Sequence, residues 1–139
     1  MTSEPYEVRA EVPAVDDYIR IRLAAGLSRK TQEAATIGLK NSLFAVTVFC
    51  ENAPVGIGRV IGDGGCFFEI VDIAVRPEHQ KKGVGRLIMD AVMSYLLEHA
   101  PSSAYVSLMA DHGTPAFYER FGFRRAEAPN AAGMYLRIS

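Results

Sequence analysis

A chain of 139 residues, 49% apolar and 22% charged, is the size of one ordinary domain and can bury a core, which excludes a disordered polymer. Its formal net charge of −1 gives no global pull toward nucleic acid or an anionic membrane, so any anion it binds must be held locally. Met1 to Arg9 holds Glu4, Pro5 and Glu7 without an apolar core, and no later run is long and apolar enough to span a bilayer; the expectation is a single cytoplasmic domain over residues 1–139.

Tyr6 to Val12 alternates as a strand. Pro13 then opens a helix with Asp16 and Asp17 in its first turn and Val15, Tyr18, Ile19 and Leu23 along one side, stopping at Gly26. A second, shorter helix runs from near Thr31 to Leu39, weakened by Gly38. Leu43 to Cys50 and Pro54 to Ile61 read as strands turning at Asn52 and Ala53, and Gly62-Asp63-Gly64-Gly65 signals a hairpin into Cys66 to Val75. Cys50 and Cys66 lie in these apolar strands without CxxC spacing or histidine neighbours. They read as reduced core residues, with no disulfide framework and no metal site.

After Pro77 the period changes. Val84, Leu87, Ile88, Ala91, Val92, Tyr95 and Leu96 recur as one face of a long helix ending before Pro101. Ala104 to Met109 reads as a buried strand, Thr114 as the N-cap of a short helix starting at Pro115, and Gly122 as its stop. Phe123 to Ala126 and Met134 to Ile138 are two further strand candidates. The pattern predicts an α/β (α+β) fold: a mixed, mostly antiparallel sheet of six to seven strands, splayed between strands 4 and 5 and flanked by about four helices.

The segment that carries chemistry takes a strand, Val71-Asp72-Ile73-Ala74-Val75, through Arg76-Pro77-Glu78-His79 and Gln80-Lys81-Lys82-Gly83-Val84-Gly85-Arg86 into the long helix. Two glycines without Cβ atoms allow close approach, the first helical turn offers unpaired N–H groups, and the helix dipole favours an anion there. Lys81, Lys82 and Arg86 add positive charge. This is the physics of a diphosphate cradle. A dinucleotide fingerprint would need a third glycine where Ile88 stands, and a P-loop would need Gly-Lys-Ser/Thr, which is absent.

Gln80-Lys81-Lys82-Gly83-Val84-Gly85 resembles motif A of the GCN5-related N-acetyltransferase (GNAT) superfamily, Gln/Arg-x-x-Gly-x-Gly/Ala. Phe117-Tyr118-Glu119-Arg120-Phe121-Gly122-Phe123 is similar to the Phe-Tyr-x-x-x-Gly-Phe signature that follows it in that family. Gly38 to Gly133 is also similar to the serotonin-acetylating plastid members. The resemblance implies acetyl-CoA as co-substrate. Its pyrophosphate would be held by the amides of Gln80, Lys81, Lys82, Gly83, Val84 and Gly85, with Arg86 adding charge beside them, and its pantetheine would pair with the backbone of Ile73, Ala74 and Val75. Asp111 lies where many relatives carry an asparagine that contacts pantetheine, so that contact meets a carboxylate here.

Aminolysis of a thioester needs a neutral amine and a protonated leaving group. Glu69 stands eleven residues before Gln80, where histone-acetylating relatives carry their base, and the resemblance implies that role for it. Strand alternation would put Glu69 on one face with Val71 and Ile73, and Asp72, to which no role is assigned, on the other. Tyr118 matches the family tyrosine that protonates the departing thiolate. His79, His99 and His112 read as surface histidines. By the same resemblance the acceptor is chosen by Leu27 to Thr31 and Glu127 to Gly133. The reading is direct acetyl transfer to a small-molecule amine of arylalkylamine, polyamine or amino-sugar type, with no metal, nucleic acid or membrane partner; a homodimer would suit the family. Its alternatives are a peptide or protein N-acetyltransferase and a non-catalytic acyl-CoA-binding module.

Overall fold

Two hairpin turns set the register of the sheet. Glu51 and Asn52 both take positive φ, 51° and 66°, the left-handed pair of a tight two-residue turn that sets Cys50 opposite Ala53. At the next turn Asp63 Oδ1 accepts from the N–H groups of Gly65, Cys66 and Phe67 at 2.8, 2.9 and 3.0 Å. Gly62, at φ 147°, leaves no room for a side chain, since a Cβ there would stand 2.2 Å from the Phe67 carbonyl oxygen.

The computed structural model describes residues 5–111, 113–127, 129 and 131–138. In chain order the elements are β1 (Tyr6–Arg9), α1 (Val15–Ala24), α2 (Gln32–Lys40), β2 (Phe44–Cys50), β3 (Ala53–Gly62), β4 (Phe67–Val75), a 3-10 turn (Pro77–His79), α3 (Val84–His99), β5 (Tyr105–Leu108) and α4 (Pro115–Glu119). The sheet order is β1-β2-β3-β4-β5, and β1 to β4 pair antiparallel. The sheet therefore has five strands among the described residues rather than six to seven. Phe123 to Ala126 and Met134 to Ile138 form none. Met134, Leu136 and Ile138 are 87 to 90% exposed, because alternation makes a strand only where a neighbour completes the ladder.

Each face of the sheet carries helices. On one, α3 buries Val84, Ile88, Met89, Val92 and Leu96, each contributing about 1.5–3 kcal/mol of apolar burial. Gly56 and Gly58 let it approach: a Cβ on Gly58 would lie 2.5 Å from Ile88 Cγ2. On the other face Tyr18 and Ile21 of α1 pack with Ala35 and Leu39 of α2 against Ile57 and Ala74. The expected apolar side of α1 is corrected in part, since Leu23 is exposed and Arg22 is buried in its place. Cys66 is exposed too, at the rim of the hairpin; only Cys50 is a core cysteine.

The helix ends follow their local chemistry. Gly26, at φ 87°, donates to Leu23 O while Leu27 N–H donates to Arg22 O at 2.9 Å, closing α1. Thr31 Oγ1 accepts from Ala34 N–H at 3.0 Å and caps α2. The chain divides into two compact parts after Ser107, the second holding α4. There Gly122, at φ 95°, follows the helix as expected, but Thr114 is no side-chain cap: its hydroxyl donates to the Asp111 carbonyl at 2.6 Å.

Candidate active site

Strand β4 departs from simple alternation at Asp72. Arg59 pairs with Val71 and Ile57 with Ala74, so Gly58 faces two residues, Asp72 and Ile73, in a β-bulge. Asp72 takes φ 62°, a left-handed conformation that aspartate tolerates better than branched residues. The bulge shifts the parity of the strand. Asp72 turns to the α1/α2 face, the face of Val71 and Glu69, while Ile73 turns to the α3 face, where its Cδ1 would meet a Cβ on Gly58 at 2.9 Å. This corrects the expected placement of Asp72 opposite Glu69 and of Ile73 beside it.

The C-terminal end of β4 extends past the end of β5. Tyr105 N–H donates to Cys66 O at 2.8 Å, so β5 begins opposite the start of β4. Four residues at roughly 3.3 Å each carry β5 no further than about Ile70, and Ile73 to Val75 lie beyond its reach. Arg76 N–H donates inward to Val55 O at 2.9 Å; by alternation the N–H and carbonyl of Val75 point outward. Gln80 Nε2 meets that carbonyl at 2.9 Å.

From Gln80 the chain enters α3 through a left-handed turn, with Lys81 at φ 62° and Gly83 at φ 88°. The first N–H to find a helical acceptor is that of Leu87, on Gly83 O at 3.1 Å. The N–H groups of the preceding turn, including Val84 and Gly85, therefore have no partner within the helix. A Cβ placed on Gly83 meets nothing within 4 Å, so open space adjoins the donors. Gln80, Lys81, Lys82 and Arg86 are exposed around it, and Arg86 approaches Asp90 only at 4.0 Å.

Glu69 is half-buried in β4, opposite Ile61. Beneath the bulge is a cluster that the sequence reading did not assemble. The Asp72 carboxylate, 4% exposed, accepts from Tyr18 Oη at 2.9 Å, from Arg59 Nε at 2.7 Å and from Arg22 Nη1. Arg22 also donates to Ser28 O and Oγ, and Arg59 to Gly38 O and Ser42 Oγ. Burial, followed by the Asp72 charge, raises the Tyr18 phenol above its ordinary value. An aspartate within the apolar run Cys66 to Val75 and an arginine within Pro54 to Ile61, on strands joined by a recognisable hairpin, were the available signals.

In the second part, Tyr118 is half-buried on α4, its ring edge-to-face with Phe117, whose centroid is 5.0 Å away. Burial first, then the Asp111 charge, raises its phenol above the usual tyrosine value, so it stays protonated at neutral pH. Asp111 is exposed, and its carbonyl accepts from Thr114. His112, Ala128 and Asn130, the last two in an expected acceptor segment, lie outside the described residues. Among the described residues no three His, Cys, Asp or Glu side chains group to hold a metal, and no helix is long and apolar enough to cross a membrane.

A family model described as an acetyltransferase (GNAT) domain matches residues 41–125. The solved structure of SA2161 from meticillin-resistant Staphylococcus aureus, by its own description a probable acetyltransferase of unknown function, is 44% identical. The match covers 96% of this chain and 99% of that one, with a TM-score of 0.90. A GNAT family protein of Streptococcus pneumoniae, SP0256, shares the fold at 23% identity and a TM-score of 0.76, over 96% of this chain and 98% of its own. An uncharacterized N-acetyltransferase, ycf52, of Porphyra purpurea is 25% identical over 72% of this chain. The match covers 59% of that relative, so the chain spans about three fifths of its length.

Proposed function

Because the chain belongs to the GNAT acetyltransferase family, we propose that it is an acetyl-CoA-dependent N-acetyltransferase that moves an acetyl group directly onto the primary amine of a small molecule. The observation that carries this reading is the junction of β4 and α3. An outward-facing Val75 backbone, a Gln80 brace, a left-handed turn at Lys81 and Gly83 and the N–H donors of a helix start follow one another within ten residues. That order suits a ligand with an amide-bearing arm and a diphosphate at one end, which is the chemistry of coenzyme A.

When bound, acetyl-CoA supplies an activated acyl carbon and a thiolate leaving group. The chain supplies the rest. The outer edge at Ile73 to Val75 offers main-chain pairing to the arm, and the N–H groups around Gly83, with Lys81, Lys82 and Arg86 beside them, hold the phosphates. Glu69 takes a proton from the substrate ammonium, directly or through a water, and the neutral amine so formed attacks the acyl carbon, losing its second proton to solvent as the carbon–sulfur bond breaks. Tyr118, kept protonated by its surroundings, gives a proton to the departing sulfur. An alkylammonium suits a half-buried carboxylate. This favours arylalkylamines, polyamines or amino sugars over a neutral acceptor.

Calorimetric titration with coenzyme A, together with thiol release from acetyl-CoA across a panel of amines and peptides, tests the reading. Binding, with release above hydrolysis for a small amine, is expected. Binding without release for any acceptor would replace the enzyme by an acyl-CoA-binding module, and release for peptides alone would move the acceptor class.

A further inference from the structure

We propose that Asp72 is the positioning residue of this site: its carboxylate locks the β4 bulge and ties the cofactor edge of the strand to the connection between α1 and α2. The inference rests on the acetyl-CoA reading for its functional consequence and on geometry alone for the tie itself.

Asp72 is the point at which β4 changes parity, and the outward backbone of Val75 follows three residues later. A positive φ in a non-glycine residue mid-strand persists only where its surroundings hold it. Here the hold is explicit. Tyr18, Arg22 and Arg59 converge on one carboxylate, and each arginine is anchored a second time. Arg22 reaches Ser28 O at 2.8 Å, between the helices, and Arg59 reaches Gly38 O at 3.0 Å, near the end of α2. Two buried guanidiniums against a single carboxylate leave one positive charge to be met by those carbonyls, of which Gly38 O lies in the last turn of α2, the negative end of that helix. The arrangement is therefore intolerant of a shift in any one member. A displacement of the Ser28 connection must move Arg22, and through Asp72 it must move the bulge.

The test uses the full chain and three variants. Asp72→Gly keeps the backbone freedom at positive φ and removes the carboxylate; Asp72→Asn keeps shape and left-handed tolerance and removes the charge; Tyr18→Phe removes one hydrogen bond and leaves the core filled. Coenzyme A affinity by calorimetry should fall about tenfold or more in Asp72→Gly and severalfold in Tyr18→Phe, within the range of ordinary coupling between sites, with cooperative unfolding retained. A residue that merely stabilised the fold would lower the melting temperature and leave the affinity of the folded protein unchanged. That result in Asp72→Gly, or in Tyr18→Phe should Asp72→Gly not fold, overturns the proposal. Amide hydrogen exchange separates its failure from failure of the cofactor reading. In Asp72→Asn, protection should drop together at residues 27–31 and 73–75 without any ligand, and a drop confined to one segment overturns the tie even if the wild type binds coenzyme A. Should the wild type not bind coenzyme A, the functional half falls with that reading, and the exchange result alone decides the tie.

Discussion

Gln80 reaches back to Val75: its Nε2 donates to the strand carbonyl at 2.9 Å, so one side chain braces the end of β4 against the entry to α3. The brace leaves the Val75 N–H pointing to the same outer edge and sets the start of the left-handed turn through Lys81 and Gly83.

Gly83 is where this junction is most sensitive. A methyl group there meets nothing within 4 Å, so Gly83→Ala incurs a backbone cost alone, about 1–2 kcal/mol for a left-handed alanine. The methyl would stand beside the N–H donors of the helix start, which have no partner within the helix. Coenzyme A affinity should therefore fall about tenfold, the equivalent of one charge-assisted hydrogen bond. Gln80→Ala should weaken binding less and leave stability nearly unchanged, because Gln80 is exposed. Thermal unfolding and calorimetric titration of the two variants check both halves, and undiminished affinity in Gly83→Ala would remove the turn from the site.

Gly58 has the opposite surroundings. A Cβ would lie 2.5 Å from Ile88 Cγ2 and 2.9 Å from Ile73 Cδ1, in a layer where Ile88 is fully buried. Ile88 Cγ2 is a branch methyl next to the helix backbone and cannot give way without moving α3. Gly58→Ala should therefore destabilise by about 1–3 kcal/mol, as overpacking does, when measured by denaturant unfolding. Gly65→Ala is the control: its nearest neighbour would be Asp63 Oδ1 at 3.9 Å, and equal losses in both variants would show that close packing is not the cause.

How far these features could be read from the sequence depends on their physical range. The turn from Gln80 to Gly85 and helix α3 were legible because glycine spacing and a 3.6-residue period are local. The bulge was not: Phe68, Ile70 and Ala74 share parity and look like one face, whereas Ala74 packs with Tyr18 and Leu39 on the other. One inserted residue reverses the strand, and no periodicity records it. The strands expected at Phe123 to Ala126 and Met134 to Ile138 failed for a related reason, since pairing is a property of two segments and the alternation of one does not supply it. Glu69 and Tyr118 came from family resemblance; their burial became visible only in three dimensions.

Transfer should separate from binding at those two residues. Glu69→Gln and Tyr118→Phe each preserve size, and neither side chain belongs to the cradle around Gly83. Turnover should drop by about 10²-fold or more, the usual contribution of a positioned acid or base, with coenzyme A affinity unchanged. Because burial and Asp111 raise the Tyr118 phenol, the wild-type rate should hold through pH 10 before any loss from tyrosine ionisation. A decline in kcat below the ordinary tyrosine range that vanishes in Tyr118→Phe would contradict the protonated donor.

Tyr18 makes a corresponding prediction for stability. Burial, the Asp72 charge and the hydrogen bond to Asp72 all hold its phenol above the usual value, so the folded chain keeps this proton to higher pH than the unfolded chain. The contribution is fully present below about pH 10, where both states are protonated. As pH rises through 10 toward the folded value, the unfolded state ionises first and stability falls. Tyr18→Phe should lose about 1 kcal/mol at neutral pH, for the hydrogen bond to Asp72, yet show a shallower alkaline decline. Denaturant unfolding at several pH values from 7 to about 11 checks this. Tyr118, whose phenol is raised as well, keeps part of the slope in the single variant, so the double variant Tyr18→Phe/Tyr118→Phe should flatten it further. An unchanged slope in Tyr18→Phe would mean that the phenol is not held protonated by the Asp72 cluster.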